Sequence, residues 1–244
     1  MKKYFITSDI HSFYTIWMDA LIKAGFYIDN KEHILIIIGD VFDRGDESIQ
    51  LLDFLTHFDK ERLILIRGNH EDLFLEMIYQ GYSGYREMVN GTFKTYRDLF
   101  DRLDIMPLYE FKETDLYKLI TSMIDYYETD NYIFTHGFLP TKTENGKTRI
   151  DENFRELPEY YWHYARWTNG MKEYEEVKDD FIDKYLVVGH FHTSYGHANI
   201  EGDGTEFGKD ANFDIYRRGK LIAIDACTAF SKRVNVLVLN EDEI

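Results

Sequence analysis

Short apolar runs recur along the chain, and each ends in polar or glycine-containing positions. They are KYFIT (3–7), HILIII (33–38), RLILI (62–66), NYIFT (131–135), KYLVV (184–188), KLIAI (220–224) and RVNVLVL (233–239). Because these runs are nearly continuous rather than alternating with polar residues, they predict strands buried on both faces. The last two runs are predicted to pair as a terminal hairpin or meander.

Amphipathic segments separate the early strands. TIWMDALIKAG (15–25) and ESIQLLDFLTHF (47–58) have the spacing of helices with one apolar face. Strand–helix–strand alternation of this kind is typical of parallel βαβ units. We therefore predict a single α/β domain over residues 1–244, with helical elaborations at about 72–130 and 141–183.

Composition and charge narrow the function classes. Of the 244 residues, 44% are hydrophobic and 16% aromatic, which predicts a sizeable core and argues against disorder. The formal net charge of -16 disfavours nucleic acid and anionic membranes as partners. No apolar run approaches the ~20 residues of a membrane span, and the N-terminal stretch is too short for a signal peptide. Since the single cysteine, Cys227, cannot form an internal disulfide, we expect a cytoplasmic protein. The oligomeric state is left open.

Five of the predicted strands run directly into a polar cluster. The clusters are SDIH (8–11), GDVFDRG (39–45), RGNHE (67–71), THG (135–137) and GHFH (189–192). Because open α/β sheets place their ligand sites at the carboxyl ends of strands, clusters far apart in sequence are predicted to meet in space.

The clusters supply residues of metal-binding type. The candidate ligands are Asp9, His11, Asp40, Asn69, His136, His190 and His192. Imidazole, carboxylate and amide oxygen without thiolate suit manganese, iron, zinc or nickel, and argue against a structural cysteine-type zinc site. Seven candidates exceed what one open site needs. They fit two metals that share a carboxylate at a separation of roughly 3.5–4 Å.

Each cluster also has a purely structural explanation. Asp9 and Asn69 are acceptable helix N-caps, and Asp43 with Arg44 could form a solvated ion pair of little energetic weight. His136 could be a satisfied core histidine, and GHFH a glycine turn beside an edge strand. Five consecutive strand ends with ligand-type residues favour one shared site over five separate structural explanations.

Taken in order, these motifs resemble those of the calcineurin-like metallophosphoesterases. The GDVFDRG and GNHE blocks are most similar to the phosphoprotein phosphatase branch, which includes bacterial serine/threonine phosphatases and diadenosine tetraphosphate hydrolases. NGTFKTYRD (90–98) weakly resembles the segment that follows the branch's third motif. The resemblance implies a four-layer α/β/β/α sandwich with a dinuclear metal site at the strand carboxyl ends.

The resemblance also implies a role for each residue. One metal would be held by Asp9, His11, Asp40 and His192, and the other by Asp40 as the bridge with Asn69, His136 and His190. His70 would be the catalytic imidazole, oriented by Asp43, and Arg44 would clamp the phosphate. Arg166, in HYARWTN, matches a second substrate-binding arginine.

Three departures from the branch leave the substrate open. Ser8 and Ser12 stand where the branch usually has glycines, HGF (136–138) replaces the commoner HGG, and the second histidine of GHFH is more typical of the wider superfamily. The aromatic-rich segments 79–97 and 154–167 are expected to pack the structure rather than to stack a nucleobase.

The main hypothesis is a phosphomonoesterase that acts on phosphoserine or phosphothreonine with two divalent ions, manganese first among them. One alternative is symmetrical hydrolysis of dinucleoside polyphosphates. The other is a metal-bound scaffold without catalysis, against which His70 and Asp43 argue because metal binding alone requires neither.

Overall fold

Two β-sheets and a separate hairpin contain all strands of the computed structural model, which describes residues 1–178 and 182–244. The strands are β1 (Lys3–Thr7), β2 (His33–Ile38), β3 (Leu63–Ile66), β4 (Tyr126–Glu128), β5 (Tyr132–Thr135), β6 (Thr141–Glu144), β7 (Lys147–Ile150), β8 (Tyr185–Val188), β9 (Tyr216–Arg218), β10 (Leu221–Ala223) and β11 (Leu237–Asn240). The first sheet has the order β11-β1-β2-β3 and the second β4-β5-β8-β10-β9. β1, β2 and β3 are mutually parallel, as are β5, β8 and β10.

The described residues include eleven helices, several of which pack on the outer faces of the two sheets. They are α1 (Tyr14–Lys23), α2 (Ser48–His57), α3 (Asn69–Gln80), α4 (Tyr85–Asn90), α5 (Thr92–Phe100), α6 (Leu108–Phe111), α7 (Asp115–Ser122), α8 (Glu159–Arg166), α9 (Gly170–Val177), α10 (Thr193–Tyr195) and α11 (Thr228–Ser231). Short 3-10 turns at Lys60–Arg62 and Phe154–Glu156 and a π-helical turn at Gly196–Ile200 are the other helical elements of the described residues. No helix within the described ranges is long and apolar enough to cross a membrane.

Successive side chains of the central strands point alternately into the cores on the two sides of the sheet. Phe5 and Leu35 point to a core shared with the helices of the first half of the chain, whereas their neighbours Ile6 and Ile36 point to a core between the two sheets. A third core lies between the second sheet and α8 and α9 and contains Trp162. Because strand side chains alternate between faces, strands with apolar residues at both parities must be covered on both sides. The predicted four-layer α/β/β/α sandwich is confirmed.

The predicted terminal hairpin is wrong. β10 lies in the second sheet and pairs in parallel with β8, whereas β11 pairs antiparallel with β1 in the first sheet. Residues 224–236 separate the two strands, which is longer than the usual hairpin loop. The chain instead passes from one sheet to the other: β10 lies between β8 and β9, whereas β11 forms an edge of the first sheet.

The elaboration predicted at 141–183 is only partly helical. It begins with the hairpin β6–β7 and continues into α8 and α9, while its residues 179–181 lie outside the described residues. Asn145 and Gly146 form the hairpin turn with φ angles of 53° and 76°. Asn-Gly with two positive φ angles is typical of a two-residue type I′ turn, so the sequence carried this signal. The segment 72–130 contains most of α3, then α4 to α7 and β4.

Candidate active site

The strand ends of both sheets meet at one edge of the sandwich. His136, after β5, bonds the carbonyl of Ile38 at the end of β2 through Nδ1 at 2.9 Å. The backbone N–H of His190, after β8, donates to Asp9 Oδ2 at 2.9 Å. These contacts join the ends of strands from different sheets. The convergence that the sequence predicted is confirmed.

Asp40 lies at the centre of the site. Its Oδ1 is 3.2 Å from His136 Nε2, and its Oδ2 is 3.7 Å from His11 Nε2. Two groups of potential ligand atoms share this carboxylate, namely His11, Asp40 and His70, and Asp40, His136 and His190, and each group lies within 4.8 Å. A carboxylate common to two such groups stands where a bridging ligand would stand.

Backbone carbonyls orient the histidines toward this carboxylate. His11 Nδ1 bonds Phe42 O at 3.0 Å, and His136 Nδ1 bonds Ile38 O at 2.9 Å. In both rings Nε2 is the nitrogen nearer to Asp40. Metal-ligating histidines usually donate their other ring nitrogen to such a carbonyl or carboxylate, which fixes the tautomer and the ring orientation.

Protonation in the site follows from burial and crowded charges. Burial and the charge of Arg44 hold the pKa of His11 well below its ordinary value. Burial and the charge of His136 lower the pKa of His190 to about 3. Although burial opposes it, the carboxylate of Asp40 raises the pKa of His136 to about 10. His11 and His190 are therefore neutral imidazoles at pH 7, the form that binds metals, whereas His136 must give up the proton that Asp40 stabilises before it can bind one.

Buried acids crowd the same edge. Burial and the neighbouring carboxylate of Asp225 hold the pKa of Asp9 well above its ordinary value. Asp225, which the sequence analysis missed, follows β10 and is itself buried, with Oδ1 accepting the N–H of Cys227 at 2.6 Å. The signal was present, because an acid directly follows the apolar run 220–224. Together with Asp40, these acids form a donor set that fits divalent cations, which would offset their repulsion.

His70, Asp43 and Arg44 form a chain of contacts beside Asp40. His70 Nδ1 lies 2.7 Å from Asp43 Oδ2, and Arg44 Nη2 lies 3.1 Å from His70 Nε2. Burial opposes protonation of His70, but the charge of Asp40 and the hydrogen bond to Asp43 raise its pKa. Thr92 Oγ1 donates to Asp43 Oδ2 at 2.6 Å, so the segment 90–98 supports the pair. The three residues predicted to act together are in contact.

The backbone at the strand ends adopts left-handed conformations, and these set the direction in which the side chains of the site point. The positive-φ residues of the site are Asp9, His11, Asp40, Asp43, Arg44 and His190, with φ from 50° to 74°. Such conformations cost of order 1–3 kcal/mol each and persist only where surrounding contacts impose them. Glu71 supplies three such contacts, accepting the N–H groups of Asp40, Val41 and Gly68 at 2.9–3.0 Å.

His192 lies apart from the two ligand groups. Its Nε2 is 2.7 Å from Glu206 Oε1, and it belongs to neither group around Asp40. Asn69 is closer to the centre, with Oδ1 2.9 Å from His136 Nε2.

Arg166 is occupied by carboxylates. Its side chain is fully buried; Nε donates to Asp72 Oδ2 at 2.8 Å, Nη1 to Asp125 Oδ1 at 2.6 Å, and Nη2 to Glu159. All three nitrogens are engaged without exposed surface, so Arg166 offers none to a phosphate, against our prediction. Instead it ties α8 to α3 through Asp72.

The aromatic segment 154–167 does not pack as a whole. Trp162 is buried as expected, but Tyr160, Tyr161 and Tyr164 are 64%, 46% and 58% exposed. These tyrosines line a cavity of about 310 Å³ beside Leu139 and Thr141. The expectation that this segment only packs is wrong for them, because one face of α8 points outward.

Trp167 connects this aromatic face to the site. Tyr160, Tyr164 and Trp167 have the i, i+4, i+7 spacing of one helix face, and the ring centroids of Tyr160 and Tyr164 are 4.9 Å apart. The Trp167 ring lies 6.1 Å from that of His190. Trp167, at the C-terminal end of this face, therefore places a partly exposed aromatic ring beside His190.

Comparisons with known proteins agree with this geometry. The family model for calcineurin-like phosphoesterases matches residues 2–224. A symmetrical bis(5′-nucleosyl)-tetraphosphatase from Buchnera aphidicola is 41% identical over 81 residues, which are 33% of this chain. The match spans 28% of that relative's length.

Solved structures show the same fold at low identity. A candidate diadenosine tetraphosphatase superposes with a TM-score of 0.58 at 14% identity, covering 98% of this chain and 89% of its own. A serine/threonine phosphatase from Saccharomyces cerevisiae gives 0.57 at 15% identity, covering 92% and 67%. A cold-active protein-tyrosine phosphatase from a Shewanella species gives 0.58 at 18% identity, covering 99% and 76%.

Proposed function

Because the chain belongs to the calcineurin-like phosphoesterase family, we propose that it is a metal-dependent phosphomonoesterase that removes phosphate from serine or threonine. The contact of His70 with Asp43 at 2.7 Å carries this proposal, since a metal-bound scaffold has no use for a buried, carboxylate-oriented imidazole. We further propose manganese as the native ion, with iron, zinc or nickel as alternatives, and a cytoplasmic location.

The proposed centre holds two divalent ions. Asp9, His11, Asp40 and His192 would hold one, and Asp40, Asn69, His136 and His190 the other. When bound, the ions would lower the pKa of a bound water, so that hydroxide would be available to attack phosphorus at neutral pH. The compact grouping of donor atoms around the buried Asp40 supports a shared centre.

Arg44 and His70 act on the phosphate in this proposal. Arg44 is exposed, unlike its neighbours Phe42 and Asp43, and in this proposal its guanidinium leaves His70 Nε2 to meet an incoming phosphate. There it would bind phosphoryl oxygens with two parallel hydrogen bonds. His70, held by Asp43 through Nδ1, would carry a proton on Nε2 for the departing alkoxide.

Replacing Arg44 with alanine is expected to raise KM, lower kcat, or both, while leaving the metal content unchanged. Lysine should restore little, because it offers a point charge where the guanidinium offers a planar fork. Steady-state kinetics with metal analysis on the same preparations measure this, with Arg97→Ala, an exposed arginine of α5, as the matched control. Wild-type kinetics in Arg44→Ala would mean that Arg44 does not bind the phosphate and forms only surface contacts.

A second candidate is symmetrical hydrolysis of dinucleoside polyphosphates. The exposed row of Tyr160, Tyr164 and Trp167 favours it, because aromatic faces beside a phosphate site stack nucleobases. The similarity to the Buchnera tetraphosphatase also supports it. Assaying metal-loaded protein side by side on phosphopeptides and on diadenosine tetraphosphate separates the two candidates.

The double variant Tyr160→Ala/Tyr164→Ala tests whether these tyrosines contribute to hydrolysis of the dinucleotide. If the row stacks a base, kcat/KM on diadenosine tetraphosphate should fall about 5–150-fold, as expected for a stacking contact of ~1–3 kcal/mol. Hydrolysis of a phosphopeptide that carries no aromatic residue should not change. Tyr109→Ala, a 75% exposed tyrosine on α6, is the control. Equal rates on the dinucleotide before and after the double substitution would exclude base stacking there.

A further inference from the structure

The N-terminal end of α5 packs against the turn that carries Asp43 and Arg44. Gly91 lies so close to this turn that a Cβ atom there would stand 2.6 Å from the backbone nitrogen of Arg44. Lys94 Nζ donates to the carbonyl of Gly45 at 2.9 Å. Asp43 and Arg44 have φ angles of 74° and 62°, which are uncommon for non-glycine residues and persist where surrounding contacts impose them. The contacts of α5 therefore help to hold the turn in its left-handed conformation.

Two threonines of α5 bind Asp43 itself. The backbone N–H of Asp43 donates to Thr95 Oγ1 at 3.1 Å, and Thr92 Oγ1 donates to Asp43 Oδ2 at 2.6 Å. Both threonines are fully buried, and Asp43 is buried as well. Because water does not reach these groups, loss of the Thr92 hydroxyl would leave the carboxylate without a replacement for that donor. Thr95 thus holds the backbone of Asp43, and Thr92 holds its carboxylate.

The carboxylate of Asp43 engages one of its two oxygens twice. Oδ2 lies 2.7 Å from His70 Nδ1 and also accepts from Thr92 Oγ1. Within the described ranges, the buried Oδ1 has no hydrogen-bond partner. Because rotation of an aspartate carboxylate about its Cβ–Cγ bond is weakly restricted, one partner alone would not fix its plane. The second donor, Thr92, determines both the orientation of the carboxylate and the oxygen that faces His70.

We propose that Thr92 is a positioning residue for His70 and acts through Asp43. By holding Oδ2 against Nδ1, it fixes the plane of the imidazole. His70 Nε2 is then kept on the side of Arg44 Nη2, at 3.1 Å, and of Asp40 Oδ2, at 3.8 Å, where the phosphate would bind. The inference rests on the proposed function to the extent that His70 gives a proton to the leaving group.

Thr92→Val tests this role, because it keeps the branched side chain and removes the hydroxyl. In metal-loaded protein we expect kcat on a phosphoserine peptide to fall about 10–150-fold, which corresponds to one hydrogen bond to a charged group. The loss on p-nitrophenyl phosphate should be much smaller, because nitrophenolate leaves without a proton. Thr92→Ala should behave like Thr92→Val, and Thr92→Ser should restore most of the activity. Thr121→Val is the matched control, since this exposed hydroxyl bonds only its own helix, α7.

Proton NMR of metal-free protein gives a readout that does not depend on activity. The ring proton between His70 Nδ1 and Asp43 should give a downfield signal in wild type and in Thr92→Ser that is absent from His70→Asn. In Thr92→Val we expect this proton to exchange faster with water, since the carboxylate that holds it can turn. An unchanged exchange rate would overturn the proposal. So would equal losses on the two substrates, or loss of a metal ion in Thr92→Val.

A double-substitution cycle identifies the residue through which Thr92 acts. Adding Thr92→Val to His70→Asn should cause no further loss on the phosphoserine peptide, because the residue to be positioned is already gone. Additive losses would contradict the proposal. Failure of the proposed function is distinguishable, because it shows in wild type as absent phosphoserine hydrolysis, or in His70→Asn as equal losses on both substrates. In that case the exchange rate of the His70 proton still decides whether Thr92 holds Asp43 against the ring.

Discussion

His70→Asn is expected to slow hydrolysis of phosphoserine substrates by about 10²–10⁴-fold, the usual range for loss of a general acid. The loss on p-nitrophenyl phosphate should be much smaller. A serine alkoxide is a poor leaving group that needs the proton of His70, whereas a nitrophenolate leaves without one. His57→Asn, on the exposed C-terminal turn of α2, is the matched control and should behave as wild type.

Metal analysis decides between two roles for His70. Its Nε2 lies only 3.8 Å from Asp40 Oδ2, so proximity alone also allows it to bind metal. If His70 is the acid, His70→Asn keeps both ions. Loss of an ion would make it a ligand. Equal losses on the two substrates with full metal content would argue for positioning of the phosphate or nucleophile, and no loss on either would exclude a catalytic role.

Asp40→Asn should have the widest effect, since Asp40 alone lies in both ligand groups. We expect both ions to bind more than about 100-fold more weakly, beyond the range for a residue that only supports a ligand, and activity to fall with them. Metal analysis after dialysis measures this. Asp46→Asn, six residues along the same turn and ion-paired with Lys94, controls for the lost charge. Weakening of one ion alone would contradict a bridging role.

The sequence predicted the site better than the path of the chain. Acids and histidines directly after buried runs were enough to place Asp9, Asp40 and His136, because parallel strands in a covered sheet must end at the same edge. In the structure Asp9 and His136 contact backbone groups at other strand ends, and Asp40 lies 3.2 Å from His136 Nε2. Local patterns carried this information, since each cluster follows its strand within a few residues.

Strand pairing and long-range side-chain contacts could not be predicted from such local patterns. The run 233–239 looks like the partner of the run before it, yet β11 joins β1 at the other end of the sequence. Arg166 matched a substrate-binding arginine by position, but Asp72 and Asp125 compete for it, and they are 94 and 41 residues away. Which partner wins depends on three-dimensional packing, and that is absent from any local motif.

The two faces of α8 have different neighbours, and this difference has a consequence for how the helix can change in evolution. Trp162 and Arg166 face inward and lock the helix against the rest of the protein, while Tyr160 and Tyr164 face solvent. Substitutions on the outer face therefore leave the contacts of Trp162 and Arg166 with the rest of the protein unchanged. If the outer tyrosines contact the substrate, they can change with substrate preference while Trp162 and Arg166 hold the helix in place, so relatives that hydrolyse different phosphate compounds are expected to differ at positions 160 and 164 more than at positions 162 and 166.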